Sequence, residues 1–562
     1  MTETPAVRGR RLGAGLASDG TFYVVLLLLV WGLTVPKRGL WQDDTLLLRR
    51  ARDFQGHGFL AAFTPVVTPS RRLYSLPCRL ALATPQPIWT MHLLFGAVWL
   101  GQALAAGWIC RLLMPGKRLT RFLAICLTLT ATSDYLTNNL TAIGYNISAF
   151  MLLLAIGCSL RYMQGGGAGW IVLTCAAASV SIWTIDVAIP ALPFVPLILF
   201  WCGGTEAWRR VLLLLSALGL TLAHAAQVEW QFLHDPASYA AVALVPMRLA
   251  DRFVRTLGFW RENFAPWRWV FARPVWYPRP PAAISWWAMG LAAGFAAAWF
   301  AFRARRTQNP DLPELPARTL VLAAIFAAMA LLANAAYAGL QMAELHYRTH
   351  ILSRTWASLA VAVSAGWAVQ QWPRFRNAVL FVPAVFVGFG VWGGLERQDL
   401  WVSTWRLHKK ELLSIVTAAP ALKPGTGVIL RSPPTPNWYL ATEADYLAQS
   451  WLILLYDEPA IHALRMTPDR GTGCRATPEG LACWHEQQAE CVAAGTCAAD
   501  RFPYDTLVIM DFDNQRGTFQ LVSRPQGDPL LGESAAALAG YRPAGRIVER
   551  PLTLRQRALL LE

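Results

Sequence analysis

Apolar runs approaching twenty residues recur along this chain from Gly20 to Gly394, and a run of that length is what a helix needs to cross the hydrocarbon of a bilayer. A soluble globular domain does not read this way. Of the 562 residues, 55% are hydrophobic and only 15% are charged, which suits segments whose whole surface is apolar. Eleven spans are expected, at roughly 20–36, 88–109, 122–136, 140–160, 170–185, 188–201, 211–228, 283–302, 320–340, 356–369 and 378–394. The first is preceded by basic residues but followed by no small-x-small cleavage site, so it is read as a retained anchor.

Arginine placement sets the orientation. The tail 1–19 carries Arg8, Arg10 and Arg11, and alternate short connections carry Arg111, Lys117, Arg118 and Arg121, then Arg161, Arg209 and Arg210, Arg303 to Arg306, and Arg374 and Arg376. Those connections are expected on the cytoplasmic side. An odd number of spans then exports the stretch 396–562, leaving 20–395 as the membrane region. The exported stretch holds Cys474, Cys483, Cys491 and Cys497, which in an oxidising compartment read as two disulfides in one of three pairings. Zinc would want tighter Cys-x-x-Cys pairs. Cys78, Cys110, Cys126, Cys158, Cys175 and Cys202 lie in or near apolar spans and read as small packing residues.

The exported loops are unusually basic. The first, 37–87, holds Lys37, Arg38, Arg49, Arg50, Arg52, Arg71, Arg72 and Arg79, and the loop 229–282 alternates aromatic with basic residues through Phe259, Trp260, Arg261, Trp267 and Arg268. A third, between two late spans, holds Arg348, His350 and Arg354. Guanidinium groups grip phosphate oxygens in a bidentate fork, so these arginines suit a lipid phosphate, though they also suit ordinary anionic headgroups. The net charge of +16 fits either partner, and an integral membrane chain without a basic soluble module excludes nucleic acid.

Just past the first span stands Trp41-Gln42-Asp43-Asp44-Thr45, a pair of carboxylates beside the bilayer. They can cap the helix-like run Thr45 to Phe54, or they can move a proton. Their order in the chain carries a resemblance. A basic tail, one span, the Asp-Asp pair, an amphipathic stretch, Thr64-Pro65, Arg71-Arg72-Leu73 and a second span opening near His92 together resemble the GT-C superfamily of membrane glycosyltransferases. That superfamily includes protein O-mannosyltransferases, the lipid A aminoarabinose transferase and oligosaccharyltransferase subunits.

The resemblance implies a GT-C-like α-helical polytopic membrane protein followed by an exported α/β domain. It also implies a sugar donor carried on a polyprenyl phosphate, and an acceptor that is a cell-envelope glycan, a glycolipid or an exported protein. Asp43 matches the general base, Asp44 stands where many relatives have glutamate, and Arg71 and Arg72 fall where relatives place a basic element, without its following proline. Arg348, His350 and Arg354 join them as candidate phosphate or sugar contacts. The residues fix no cofactor: arginines can stabilise the leaving group without a metal, and Asp43 with Asp44 can also hold Mg²⁺ or Mn²⁺ through water, so metal is left open.

The expected location is the inner membrane of a bacterium, with the active face in the periplasm. A lipid-linked saccharide flippase is the alternative from another class; it would line a polar route across the whole membrane, and no internal repeat of the transporter kind is visible. In the exported stretch, strands are expected at 427–430, 506–510 and 518–522, with helices at 410–417 and 446–455. Asp511-x-Asp513 is read there as a polar strand end.

Overall fold

The computed structural model describes residues 19–40, 43–53, 73–133, 140–185, 195–196, 198–199, 208–234, 247–271, 284–306, 316–335, 350–432, 442, 445–467, 472–484, 491–492, 497–532 and 534–560. Arg71, Arg72 and Arg348 lie outside them. Contacts divide the chain into two compact units. The first comprises Met1–Val35, Phe59–Tyr74 and His92–Leu400, and the second comprises Pro36–Gly58, Ser75–Met91 and Trp401–Glu562. Much of the stretch between the first two spans therefore groups with the C-terminal stretch.

The helices run in the order α1 (Asp19–Lys37), α2 (Asp43–Asp53), α3 (Leu76–Leu82), α4 (Pro87–Leu113), α5 (Arg118–Thr130), α6 (Ile143–Met163), α7 (Gly169–Thr184), α8 (Trp208–His234), α9 (Leu249–Phe264), α10 (Ile284–Arg306), α11 (Pro316–Ala335), α12 (His350–Gln371) and α13 (Arg376–Ala418). Among the described residues six are long and apolar enough to cross a membrane: α1, α4, α6, α10, the Arg318–Ala335 part of α11, and α13. Two segments of α8, bent by 46° at their break, count as a seventh when taken as one span. The expected spans at 122–136 and 170–185 are the shorter helices α5 and α7, with 13 and 16 residues, and most of the one at 188–201 lies outside the described residues. The span at 356–369 belongs to α12, which carries polar His350, Ser353, Arg354 and Thr355 and is buried along most of its length.

In the first unit small residues let backbones approach. A Cβ on Gly290 of α10 would fall 2.8 Å from the carbonyl oxygen of Gly388 on α13, and one on Gly294 would fall 3.0 Å from that of Ala384. Gly290-x-x-x-Gly294 thus faces Ala384-x-x-x-Gly388, the arrangement by which apolar helices associate without a hydrophobic driving force between them. The last span was expected to stop near Gly394, but α13 continues for 43 residues to Ala418 and absorbs the helix expected at 410–417. The apolar run ends there while the helix does not. The first polar residues of this continuation, Glu396 to Gln398, are buried within the unit: Gln398 Nε2 donates to the Leu29 carbonyl at 2.7 Å and Arg397 Nη2 to the Trp269 carbonyl at 3.2 Å.

After α13 the second unit forms a mixed sheet in the order β2-β1-β6-β7, from β1 (Gly427–Arg431), β2 (His462–Met466), β6 (Leu507–Asp513) and β7 (Thr518–Leu521). Strands β1, β2 and β6 are parallel, β7 is antiparallel, and α14 (Asp445–Tyr456) connects β1 to β2. Parallel strands need such a crossover, and their apolar runs Val428-Ile429-Leu430 and Val508-Ile509-Met510 are fully buried. A smaller antiparallel sheet of β3 (Gly473–Thr477), β4 (Gly480–Trp484) and β5 (Asp500–Phe502) sets Cys474 opposite Cys483, and these form a disulfide. Cys491 and Cys497 form the second. Buried Arg465 of β2 donates to Thr442 Oγ1 at 2.7 Å and pairs with Glu411 of α13 at 3.6 Å. The last helix among the described residues is α15 (Leu554–Leu560).

Arg431, at the end of β1, is clamped by two carboxylates. It reaches Asp511 at 2.6 and 2.7 Å and Asp528 at 3.0 and 2.6 Å. Burial pushes the Asp528 carboxyl up, but the hydrogen bonds from Arg431 and from the Leu530 and Leu531 N–H groups, with the charge of Arg431, together outweigh it and the group titrates below its ordinary value. Stability from such a depressed carboxyl is present above the unfolded value near ~4 and is lost as pH falls through the folded value. At pH 7 the full chain in detergent is therefore expected to exceed Asp528→Asn in stability by about 1–3 kcal/mol, with the difference closing below about pH 4. Melting midpoints of the two proteins across pH check this, and a difference that persists undiminished in acid contradicts it.

Candidate functional site

The acidic pair opens α2, with Asp43 its first residue. Both aspartates thus stand in the first turn, where the helix dipole favours an anion. Position then decides burial. Asp44, Leu47, Leu48 and Ala51 recur at helical spacing and form the buried stripe of α2, with Asp44 2% exposed. This stripe packs on α14 and α3. In α3 the Cys78 thiol is pushed up by burial and further by the Asp44 carboxylate beside it.

The approach to α2 is held as firmly as the helix. A Cβ on Gly39 would overlap the indole of Trp405, so the chain passes flat against that ring, and Trp405 stacks on Trp451 of α14 with centroids 6.1 Å apart. The sequence of contacts Gly39, Trp405, Trp451 and α2 closes within the second unit. The helix that carries the acidic pair is therefore a packed element, which its position between two apolar runs did not reveal.

The first unit holds a separate buried polar cluster. His350, Ser353 and Arg354 occupy the first two turns of α12 and are each at most 1% exposed. Arg354 donates from Nη2 to Asn146 Oδ1 of α6 at 3.0 Å and from Nη1 to the Ala131 carbonyl at 3.4 Å, and its guanidinium lies 4.9 Å from the ring centre of Trp99 on α4. Asn263 of α9 ties the rest together. Its Nδ2 lies 3.3 Å from His350 Nδ1 and donates to Ser353 Oγ at 3.2 Å, while its Oδ1 accepts from Ser133 Oγ at 3.0 Å. One turn below, Gln102 of α4 donates to Thr355 Oγ1 at 3.0 Å. Polar groups removed from water need such partners, and the shared partners fix each side chain in one geometry.

Helix α9 reaches this cluster because its faces are reversed with respect to a soluble helix. Thr256, Phe259 and Asn263 are buried, whereas Leu249, Phe253, Val254 and Leu257 are exposed. An exposed apolar stripe on a helix between spans suits acyl chains. Asn263, Asn146, Ser133 and Trp99 were missed by sequence reasoning. The spacing of Thr256, Phe259 and Asn263 was a usable signal, but it does not say which stripe faces inward.

Two of the sequence-derived candidates, His350 and Arg354, are brought together one turn apart on α12. Asp43 and Asp44 lie together on α2 in the other unit, and Arg71, Arg72 and Arg348 are outside the described residues. Among the described residues no group of three or more His, Cys, Asp or Glu side chains is placed to hold a metal ion. Asp511 is engaged by Arg431, and Asp513 accepts from the backbone N–H groups of Gln515 and Arg516 at 2.9 and 3.1 Å, which is the work of a strand end.

No protein-family model matches the chain, and no curated protein does. Two solved structures are similar to it along most of its length. One is ArnT from Cupriavidus metallidurans bound to undecaprenyl phosphate, at 13% identity and a TM-score of 0.38, covering 79% of this chain and 89% of that one. The other is the same protein in the apo state, at 15% identity and a TM-score of 0.38, covering 89% and 94%. The likeness is distant and transfers no residue role and no ligand.

Removing the amide that joins three elements tests the cluster. Asn263→Ala is expected to cost about 1–3 kcal/mol, because Ser133 and Ser353 lose a buried partner. A thermal melt in detergent reads this, and a midpoint equal to that of the wild type contradicts it.

Proposed function

We propose that this chain is a membrane glycosyltransferase of GT-C type that moves a sugar from a polyprenyl-phosphate donor to a hydroxyl of a cell-envelope glycan or glycolipid. The observation that carries the reading is the acidic pair itself. It follows the first span closely in sequence and stands in the first turn of a helix that packs on α14 and α3. The proposed setting is a bacterial inner membrane, with the N-terminus cytoplasmic and the second unit periplasmic. Two disulfides in that unit suit an oxidising compartment.

In this reading the acceptor oxygen attacks the anomeric carbon, the bond from that carbon to the phosphate oxygen breaks, and polyprenyl phosphate leaves with the electron pair. Asp43 takes the acceptor proton, and Asp44 holds the helix start and adds a second negative charge. The departing phosphate gains negative charge as the bond breaks, and guanidinium groups stabilise it without a metal. Arg71, Arg72, Arg348 and Arg354 are the proposed sources of that charge, with His350 a further hydrogen-bonding group.

Purified wild type, Asp43→Asn and Asp44→Asn, each checked for folding and supplied with labelled polyprenyl-phosphate sugars and envelope acceptors, test the reading. Loss of the base is expected to lower kcat by about 10²–10⁴-fold in Asp43→Asn. Wild-type transfer by both variants overturns the assignment of the acidic pair.

A further inference from the structure

The second unit contains an ion-pair triad whose members come from three distant stretches of chain. Arg52 stands in the last turn of α2, Asp457 directly after α14, and Arg555 on α15. Arg52 donates from Nε to Asp457 Oδ1 at 2.7 Å and from Nη2 to the backbone carbonyl of Asp457 at 2.8 Å, and Nη2 lies 2.6 Å from the same carboxylate oxygen. Arg555 Nη1 donates to that oxygen at 2.8 Å.

Asp457 is also the only non-glycine residue with positive φ among the described residues, at 56°. A left-handed residue after a helix is an ordinary terminator, usually glycine. Here it is an aspartate whose side chain and carbonyl both face Arg52. The guanidinium thus sits at the C-terminal end of α14, where the helix dipole favours a cation.

The two kinds of contact on α2 do different work. Leu47, Leu48 and Ala51 decide which face of the helix is buried, but apolar packing has little direction and lets a short helix slide along its axis. The Arg52 fork is directional and fixes that axis. Because the helix is a stiff rod of 11 residues, about 1.5 Å per residue, holding its last turn also places its first.

We infer that Asp457 is a positioning residue for transfer, acting through Arg52 to fix where α2 presents Asp43 and Asp44. This rests on the reading that the acidic pair takes part in the reaction. A partly exposed ion pair of this kind contributes little to stability, so a merely structural role predicts almost no change on its loss. A positioning role predicts a loss in kcat, because small misplacement of a reacting group is costly.

The test compares Asp457→Asn, Arg52→Gln and the double variant in the transfer assay, with melting midpoints alongside. Asparagine tolerates the left-handed conformation and keeps an acceptor oxygen, so Asp457→Asn removes mainly the charge. Each single variant is expected to lower kcat about tenfold with the donor KM unchanged and the melting midpoint nearly so, and the double variant is expected to be no worse than either. Unchanged kcat in Asp457→Asn, or losses that add in the double variant, overturns the inference. Asp43→Asn and Asp44→Asn in the same assay separate the two levels. If they abolish transfer while Asp457→Asn does not, only the positioning role fails; if they leave transfer intact, the underlying reading fails and the inference with it.

Discussion

A helix of 11 residues is too short to persist in water by itself, and α2 is such a helix. It exists because its stripe of Asp44, Leu47, Leu48 and Ala51 is covered by α14 and α3. The organisation of the second unit depends on that burial. Residues near the start of the chain become part of a body built mainly from its last third, and the acidic pair acquires a fixed support. Trp405 against Gly39 and the Arg52 fork on Asp457 close the two ends of the same support.

In the first unit the governing constraint is the cost of an unsatisfied polar group away from water. His350, Ser353, Arg354, Asn146 and Asn263 are all buried, and each bonds to groups on other helices or connections. Such a network specifies one arrangement of α4, α6, α9 and α12 more strictly than apolar contact does. The close approach of α10 and α13 through Gly290 and Gly388 is the complementary device, in which removing side chains lets dispersion act between backbones.

Most of the architecture was legible in the chain because a bilayer imposes a long apolar period and a parallel strand a short one. The strands expected at 427–430, 506–510 and 518–522 are β1, β6 and β7 within a few residues. The end of α13 was not legible. Past Gly394 the apolar run gives way to Glu396, Arg397 and Gln398, which look like a loop until their partners at Leu29 and Trp269, far away in sequence, are known. The site divides in the same manner. Asp43 and Asp44 were visible through a local motif, whereas Asn146 and Asn263 act through tertiary contacts that no local pattern encodes. Asp457 gave no signal either, since a left-handed aspartate is a property of the folded backbone.

The proposed function requires that a bond between sugar and lipid phosphate is cut. The most direct measurement counts free polyprenyl phosphate released from a doubly labelled donor, with purified protein in liposomes and an envelope acceptor present or absent. Release is expected to match the sugar gained by the acceptor and to require the acceptor. Donor that crosses the bilayer with its sugar still attached, and no lipid phosphate freed, would contradict it and point to transport.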